Sequence, residues 1–113
     1  MDDRLAERIA AVLKGKHGIT RRKMFGGTCF MVHGNMVCGT VQDKMMVRVG
    51  PDYQARAMQS KHARPMDFTG KPMKGMIYVL PAGIRTKRSL EKWVGHGMDF
   101  ARSLPRKPMR KPE

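Results

Sequence analysis

The chain has 113 residues, of which 41% are hydrophobic and 28% are charged; these proportions are typical of one soluble globular domain and exclude a disordered chain. Lysine and arginine number 23 against nine aspartates and glutamates, which gives a net charge of +14. The longest apolar run, MIYVL, is far shorter than the ~20 residues of a membrane span, and the acidic start MDDR is unlike a secretion signal, so we expect a cytoplasmic protein that does not enter a membrane.

The first predicted element is a helix over residues 3–14, whose apolar side chains recur on one stripe. Asp2 or Asp3 is expected to cap its N-terminus, where a carboxylate also meets the positive end of the helix dipole. Gly15 or Gly18 is expected to end the helix.

Three strand-like runs follow at 28–32, 36–41 and 45–49. The spacers between them, HGN and QDK, are too short for a crossover, so the three strands are expected to be antiparallel neighbours. Gly39 lies inside the second run and indicates a bulge or a close neighbour.

The second half of the chain predicts two helices and two strands. A short helix is expected at about 52–59, an edge strand containing a proline near 65–68, and a strand over MIYVLP at 76–81. The last helix spans 87–104, with Thr86 as its N-cap and an apolar stripe at helical spacing.

The order α-β-β-β-α-β-β-α predicts an α+β fold, an antiparallel sheet of about five strands with helices covering one side. We expect residues 1–104 to form this single domain and residues 105–113 to form a basic, flexible tail. Trp93 lies on the apolar stripe of the last helix, so it is predicted to be a core anchor. Gly95 and Gly97 each weaken that helix by ~1 kcal/mol relative to alanine, which a close packing contact would explain.

Several blocks of sequence carry a family resemblance. They are RKMFGG at 22–27, then GNMVCG and MMVRV, then DF.GKPMKGMIYVLP, and finally L.KWV...M.FARSLP, where a dot marks any residue. In this order they resemble the TfoX/Sxy N-terminal domain family, the bacterial competence regulators, over about residues 5–105. Gly97 departs from the family pattern, which favours alanine there, and the C-terminal domain of the full-length regulators has no counterpart in this chain.

The resemblance implies an α+β domain with an antiparallel sheet flanked by helices. Full-length relatives act with the cyclic-AMP receptor protein at promoters of DNA-uptake genes, which implies a role in transcription regulation. No catalytic residues are assigned to the family, so none is carried over to this sequence, and we expect this protein not to be an enzyme.

The segment Met24-Phe25-Gly26-Gly27 raises a choice between a phosphate cradle and a bend. A cradle needs converging backbone amides, usually at a helix start, whereas the sequence TCFMV after the glycines favours a strand. Neither nucleotide-binding fingerprint is present. We therefore predict a bend with positive φ or a bulge, with Met24 and Phe25 entering the core. An anion nest beside the three cations 21–23 stays as the alternative.

Cys29 and Cys38 lie on two runs that a hairpin would place side by side. We expect two free, buried thiols, because cytosolic disulfides are rare and cross-strand geometry is strained; a redox pair stays as the alternative. The four histidines and two cysteines show no zinc spacing, and the carboxylates show no catalytic pairing. The sequence therefore predicts no catalytic residue, no metal and no cofactor.

The charge predicts a polyanionic partner, nucleic acid first. The last nine residues hold four cations and one anion, so the preceding 104 residues, with 19 cations and eight anions, keep a net charge of +11. Because no helix-turn-helix or zinc-finger pattern is present, we predict contact with phosphates without base readout. Ten cations in three clusters are the candidate nucleic-acid-binding residues: Arg21, Arg22, Lys23, Arg85, Lys87, Arg88, Arg106, Lys107, Arg110 and Lys111.

Three hypotheses for function follow. The first is a non-enzymatic regulatory module that binds a protein partner, such as a transcription factor, or contacts DNA non-specifically. The alternative is a homodimeric protein-interaction module that pairs through a sheet edge or a methionine surface, with charge serving solubility alone. The third is a small-ligand or enzymatic role at the glycine bend. Of the twelve methionines, five are predicted to fill the core, Met45, Met46, Met73, Met76 and Met98, and three are candidates for a contact surface, Met58, Met66 and Met109.

Overall fold

A computed structural model describes residues 4–24, 26–67 and 72–105 of the chain. The predicted caps Asp2 and Asp3 and the predicted tail after Pro105 lie outside these residues. The bounds of the elements are α1 Arg4–Leu13, β1 Ile19–Met24, β2 Gly27–Val32, β3 Asn35–Val41, β4 Lys44–Arg48, α2 Pro51–Ala57, β5 Ala63–Asp67, β6 Pro72–Val79, a 3-10 turn Pro81–Ile84, and α3 Lys87–Ser103.

Within the described residues, six strands form one antiparallel sheet in the order β1-β2-β3-β4-β6-β5. This confirms the predicted α+β fold and places β5, the strand with the proline, at an edge. The predicted element order lacked β1, because its sequence ITRRKM carries three successive cations and shows no apolar alternation. Six residue pairs with β2 nevertheless hold it in the sheet, so strand pairing overrides the weak local pattern.

The helices build the main core on one face of the sheet. Helix α3 lies against β2, β3 and β4, α2 lies against β6, and α1 lies against β3 and α3. Their buried side chains join strand residues such as Phe30 and Val47 in one cluster. Trp93 belongs to this cluster and is 6% exposed, which confirms it as a core anchor. The Ser89 amide donates to Thr86 Oγ1 at 3.1 Å, which confirms the predicted N-cap of α3.

A close contact between α3 and the sheet lies at Gly97. A Cβ atom placed there would lie 2.5 Å from the carbonyl oxygen of Val37. Val37 is the extra residue of a β-bulge, because the register of β3 against β2 passes from Cys38 to Met36. Val37 and Cys38 both belong to the helix-side core. The bulge therefore brings an additional backbone carbonyl under α3, and glycine leaves room for it.

The face of the sheet opposite the helices carries a second, smaller core that is rich in sulfur. Cys29, Met46 and Met76 are 1–5% exposed there, and they alternate along their strands with residues of the main core. A Cβ atom at Gly39 would lie 2.7 Å from Met46 Cε, which confirms the close neighbour predicted at that glycine. The half-buried side chains packed on this core are Met31, Met36, Val41 and Tyr78. These seven core and packing residues together are called the sulfur face.

The methionines are divided between the two faces. Met45 and Met98 lie in the main core as predicted, whereas Met46 and Met76 are buried in the sulfur face. Met58 packs half-buried against the main core, and its place on a contact surface stays a prediction. The side chains of Met66, Met73 and Met109 lie outside what the structure describes.

The two glycines of α3 give a matched pair of variants. We expect Gly97→Ala to lower the free energy of unfolding by about 1–3 kcal/mol, because the new methyl group has to displace the Val37 backbone. Gly95→Ala is the control: apart from its chain neighbours and the backbone of its own helix, no atom lies within 4 Å of a Cβ at that position, so the better helix propensity of alanine should raise stability by about 1 kcal/mol. Urea denaturation measures both values. A Gly97→Ala protein at least as stable as the parent would contradict the close contact.

Candidate nucleic-acid interface

Arg21, Arg22 and Lys23 lie on the edge strand β1 and are exposed. Because side chains alternate along a strand, they do not form one patch. Arg21 pairs with Phe30, and its guanidinium carbon lies 5.3 Å from the centroid of that ring, on the helix side. Arg22 pairs with Cys29 of the sulfur face. The first predicted cluster is therefore divided between the two faces of the sheet.

Helix α1 connects this edge strand to the start of α3. Arg21 Nη2 donates to Glu7 Oε2 at 3.1 Å; the two side chains are 44% and 66% exposed, so the pair contributes about 0–1 kcal/mol. The next residue, Arg8, donates from Nη2 to the carbonyl oxygens of Ile84 at 2.7 Å and Arg85 at 3.2 Å. Successive residues of α1 thus hold β1 on one side and the segment before α3 on the other.

The second predicted cluster surrounds the N-terminus of α3. Arg85, Lys87 and Arg88 are exposed, and the first turn of the helix contains no acidic residue. Cations at this end oppose the helix dipole, so their presence is mildly unfavourable to the helix itself. A phosphate bound here would meet both the cations and the positive end of the dipole.

The third predicted cluster lies outside the described residues: Arg106, Lys107, Arg110 and Lys111. Pro105, which immediately precedes that segment, is among the described residues. Asn35 is 1% exposed, and its Nδ2 donates to the carbonyl oxygen of Pro105 at 3.0 Å. Pro105 is therefore held beside the β2–β3 turn.

Charge is divided between strands and helices wherever the structure describes the side chains. The charged strand residues of that part are all cations, namely Arg21, Arg22, Lys23, Lys44, Arg48, Arg64 and Lys74. The carboxylates of that part lie on the helices and on one turn, namely Glu7, Asp52, Glu91, Asp99 and Asp43. Net positive charge is therefore greater on the strands than on the helices, where four of these carboxylates accompany seven described cations, namely Arg4, Arg8, Arg56, Lys87, Arg88, Lys92 and Arg102. Asp67, whose side chain lies outside the described part, is the last residue of β5.

The two glycines of MFGG belong to a hairpin. Gly26 has φ +77° in the two-residue loop between β1 and β2, and Gly27 begins β2. A side chain at Gly27 would collide with the Thr40 backbone. A strand rather than a helix follows the glycines, so the described geometry favours the bend over an anion nest. The side chains of Met24 and Phe25, predicted to enter the core, lie outside what the structure describes.

The two cysteines are free and buried, as predicted. In the β2–β3 register, Cys29 pairs with Gly39 and Phe30 pairs with Cys38, so the two thiols point to opposite faces of the sheet. Burial raises the pKa of the Cys29 thiol, and the Arg22 guanidinium partly offsets this. Burial, together with the nearby Cys29, also raises the pKa of Cys38. Neither thiol has the geometry or the ionisation of a redox pair.

Sequence reasoning missed a cluster of rings between α2 and α3. Tyr53 Oη lies 3.1 Å from His96 Nε2, and the two rings are 4.6 Å apart. Trp93 meets the same histidine edge-on at 5.9 Å. Grooves of about 480 and 500 Å³ lie on either side of this contact. The spacing of Trp93 and His96 on one helix face was visible in the sequence, but the approach of Tyr53 depends on how α2 docks.

His96 is held towards its neutral form. Burial lowers the pKa of its imidazole, and the nearby Lys92 and Arg56 lower it further, while Asp99 acts in the opposite direction. When the ring is neutral with its proton on Nδ1, Nε2 accepts a hydrogen bond from the Tyr53 hydroxyl. Protonation of Nε2 ends that arrangement, because both ring nitrogens then donate.

The remaining chemistry of the described residues is sparse. They include no group of three or more histidine, cysteine, aspartate or glutamate side chains that could hold a metal ion. None of their helices is long and apolar enough to cross a membrane. A groove of about 420 Å³ separates α1 from the 3-10 turn, but the guanidinium of Arg8 on its wall is already bound to backbone carbonyls.

The fold is thus that of a small α+β domain with a helical layer on one face of an antiparallel sheet, and the charged side chains described on the strands are all cations. The chain belongs to the TfoX N-terminal domain family, whose model matches residues 11–101 of the 113. The match confirms the resemblance carried by RKMFGG and the later blocks. Comparison with curated proteins and with solved structures gave no match.

We expect both thiols to resist alkylation by iodoacetamide in the folded protein and to react fully in denaturant, because each is at most 1% exposed. A mild oxidant should leave the intact mass unchanged, since the thiols lie on opposite faces of the sheet. Mass spectrometry measures both outcomes. Loss of two hydrogens in the folded protein would contradict the register that separates the thiols.

His96 should make stability depend on pH. Because its folded pKa lies below the unfolded value of about 6.5, the unfolded state binds more protons between these two values. The contribution of neutral His96 to the free energy of unfolding is therefore fully present above a pH of about 6.5, and it decreases as the pH falls towards the folded pKa.

Replacing the ring isolates this effect. In His96→Gln the contribution is absent, so the stability of the parent relative to this variant should decrease on acidification. Tyr53→Phe should keep part of the dependence, because burial, the largest cause of the shift, remains. Chemical denaturation at a series of pH values measures the differences. A stability of the parent relative to His96→Gln that is constant with pH, or that increases on acidification, would refute the assignment.

Proposed function

We propose that this protein is a non-enzymatic binding module with a regulatory role, and that non-specific contact with nucleic-acid phosphates is part of that role. The observation that carries the proposal is the division of charge. In the part of the chain whose side chains are described, the strands hold cations and the carboxylates lie on helices and one turn. The resulting excess of positive charge on the strands attracts a polyanion.

Three described cations support phosphate contact on the helix side of the sheet edge. Lys23 lies on β1, and Lys87 and Arg88 lie on the first turn of α3. Helix α1 connects β1 to the segment before α3, because its Glu7 accepts a hydrogen bond from Arg21 and its Arg8 donates one to the Ile84 carbonyl. The sequence shows no helix-turn-helix or zinc-finger pattern, so the proposal comprises contact with phosphates and no reading of bases.

The regulatory part of the proposal rests on the family. The resemblance to competence regulators supports a protein partner, such as a transcription factor, acting beside DNA. In that setting the phosphate contacts of this module add affinity without sequence preference, and the partner provides the choice of site.

A competing explanation is that the cations serve solubility and protect the sheet edge. Charged side chains on an edge strand discourage pairing with another chain, and β1 is such a strand. The two explanations differ in one respect: solubility depends on net charge wherever it lies, whereas phosphate contact depends on the positions of the cations.

Binding of fluorescent DNA duplexes of two unrelated sequences tests the proposal. Fluorescence anisotropy should give the same affinity for both, and for about six phosphate contacts log affinity should fall against log salt with a slope near −5. Lys23→Gln/Lys87→Gln/Arg88→Gln should reduce the magnitude of the slope by up to about 3. Arg21 is kept because it is paired with Glu7.

The matched control removes the same charge from exposed positions of α2 and α3, as Arg56→Gln/Lys92→Gln/Arg102→Gln. We expect this variant to keep most of the slope. Absence of binding at low salt, or affinity independent of salt, would exclude nucleic acid as the ligand. Equal losses in both triple variants would show that net charge alone matters and would overturn the assigned positions.

A further inference from the structure

The sulfur face is apolar where the solvent side of an antiparallel sheet is ordinarily polar. The helices of the described chain lie against the opposite face. Met31, Met36, Val41 and Tyr78 cover the buried sulfur core and remain half-buried themselves. Methionine side chains are unbranched and polarisable, so a surface made of them adapts to the shape of an apolar ligand. A cluster of this kind, with part of its area still accessible, is typical of an interaction site.

Cations border this face. Arg22 pairs with Cys29 across the β1–β2 register. Lys44 Nζ lies 5.6 Å from the centroid of the Tyr78 ring. On the other side, Arg64 pairs with Tyr78 across the β5–β6 register. Among the described carboxylates, Asp43 is the closest in sequence to these cations, because it lies in the turn immediately before Lys44.

The guanidinium of Arg64 is fixed in place. Its Nη1 donates to the carbonyl oxygens of Lys61 at 2.7 Å and Ala63 at 2.8 Å. Such bonds neutralise no charge, because carbonyl oxygens are uncharged acceptors. The positive charge at the β5 edge therefore remains available to a carboxylate from outside.

We propose that the sulfur face binds an acidic, amphipathic segment of a partner protein. The apolar side chains of that segment lie on Met31, Met36 and Tyr78, and its carboxylates face Arg22 and Lys44. This inference goes beyond the phosphate contacts proposed above, since it uses the opposite face of the sheet and none of the cations at the start of α3.

The bordering cations and the apolar surface of the sulfur face favour an acidic amphipathic segment over a second copy of the chain and over nucleic acid. A second copy of the chain would place the cations bordering one sulfur face against those bordering the other, and each copy carries +14, so like charges oppose such pairing. Single-stranded nucleic acid stacks its bases on aromatic platforms, whereas Tyr78 is the aromatic member of this face and Lys44 already lies over its ring. Duplex phosphates would contact the bordering cations but leave the methionine side chains without an apolar partner. An acidic segment with apolar side chains matches both parts of the surface.

The probe is a fluorescent synthetic peptide in which leucine alternates with glutamate, and its control is the same peptide with lysine in place of glutamate. Fluorescence anisotropy should detect binding of the first and not of the second. Met31→Ser/Met36→Ser should weaken binding by about tenfold, and Lys44→Gln should weaken it with a reduced dependence on salt. Met31→Leu/Met36→Leu keeps the apolar surface and should keep the affinity.

Two controls separate this surface from the rest of the molecule. Val12→Ser changes a half-buried apolar residue of α1 and should leave peptide binding unchanged. Lys23→Gln/Lys87→Gln/Arg88→Gln should lose DNA contacts and keep the peptide, so the two proposals fail independently. If circular dichroism shows that the serine variant is unfolded, the Lys44→Gln variant and the pair of peptides decide the question.

Several results would overturn the inference. One is equal binding of the lysine and glutamate peptides, and another is parent-like affinity in a folded Met31→Ser/Met36→Ser protein. Light scattering that shows a dimer which the serine variant lacks would assign the face to a second copy. Loss of DNA affinity in the same variant, without any binding of the acidic peptide, would assign it to nucleic acid.

Discussion

The approach of α3 to the backbone of β3 is the contact on which the layout of the described molecule depends. Gly97 lets the helix lie against the Val37 carbonyl, and Val37 is in turn brought there by a bulge. With α3 seated, its buried stripe, including Trp93, closes the main core over β3 and β4. The helices then occupy one face of the sheet, and the other face is left to the sulfur cluster.

Much of this fold follows from local patterns in the sequence. The helices were predictable because their apolar residues recur at helical spacing, and Thr86 was predictable as a cap because its hydroxyl can accept from the amide three residues on. Strand β1 was not, because three adjacent cations hide the alternation that would mark a strand. The bulge at Val37 was not either, since nothing in NMVCGTV distinguishes the extra residue from its neighbours.

The candidate site shows why neighbours in sequence are a weak guide to a surface. Arg21 and Arg22 read as one basic cluster, yet the alternation of β1 sends one towards Glu7 and Phe30 and the other towards Cys29. With β1 assigned as a strand, the same alternation would have predicted the separation. The contact of Tyr53 with His96 is different in kind, because it joins α2 to α3 across 43 residues and depends on tertiary packing.

The two proposed surfaces differ in the range of the forces they use. Electrostatic attraction between a strongly basic domain and a polyanion acts over about a Debye length, roughly 8–10 Å in physiological salt, and it discriminates poorly among polyanions. Apolar contact acts only where surfaces touch, so it depends on shape. A module with both can be drawn towards a nucleoprotein assembly by its charge and hold one partner there through Met31 and Met36. In such a module the net charge governs encounter, and the sulfur face governs selection.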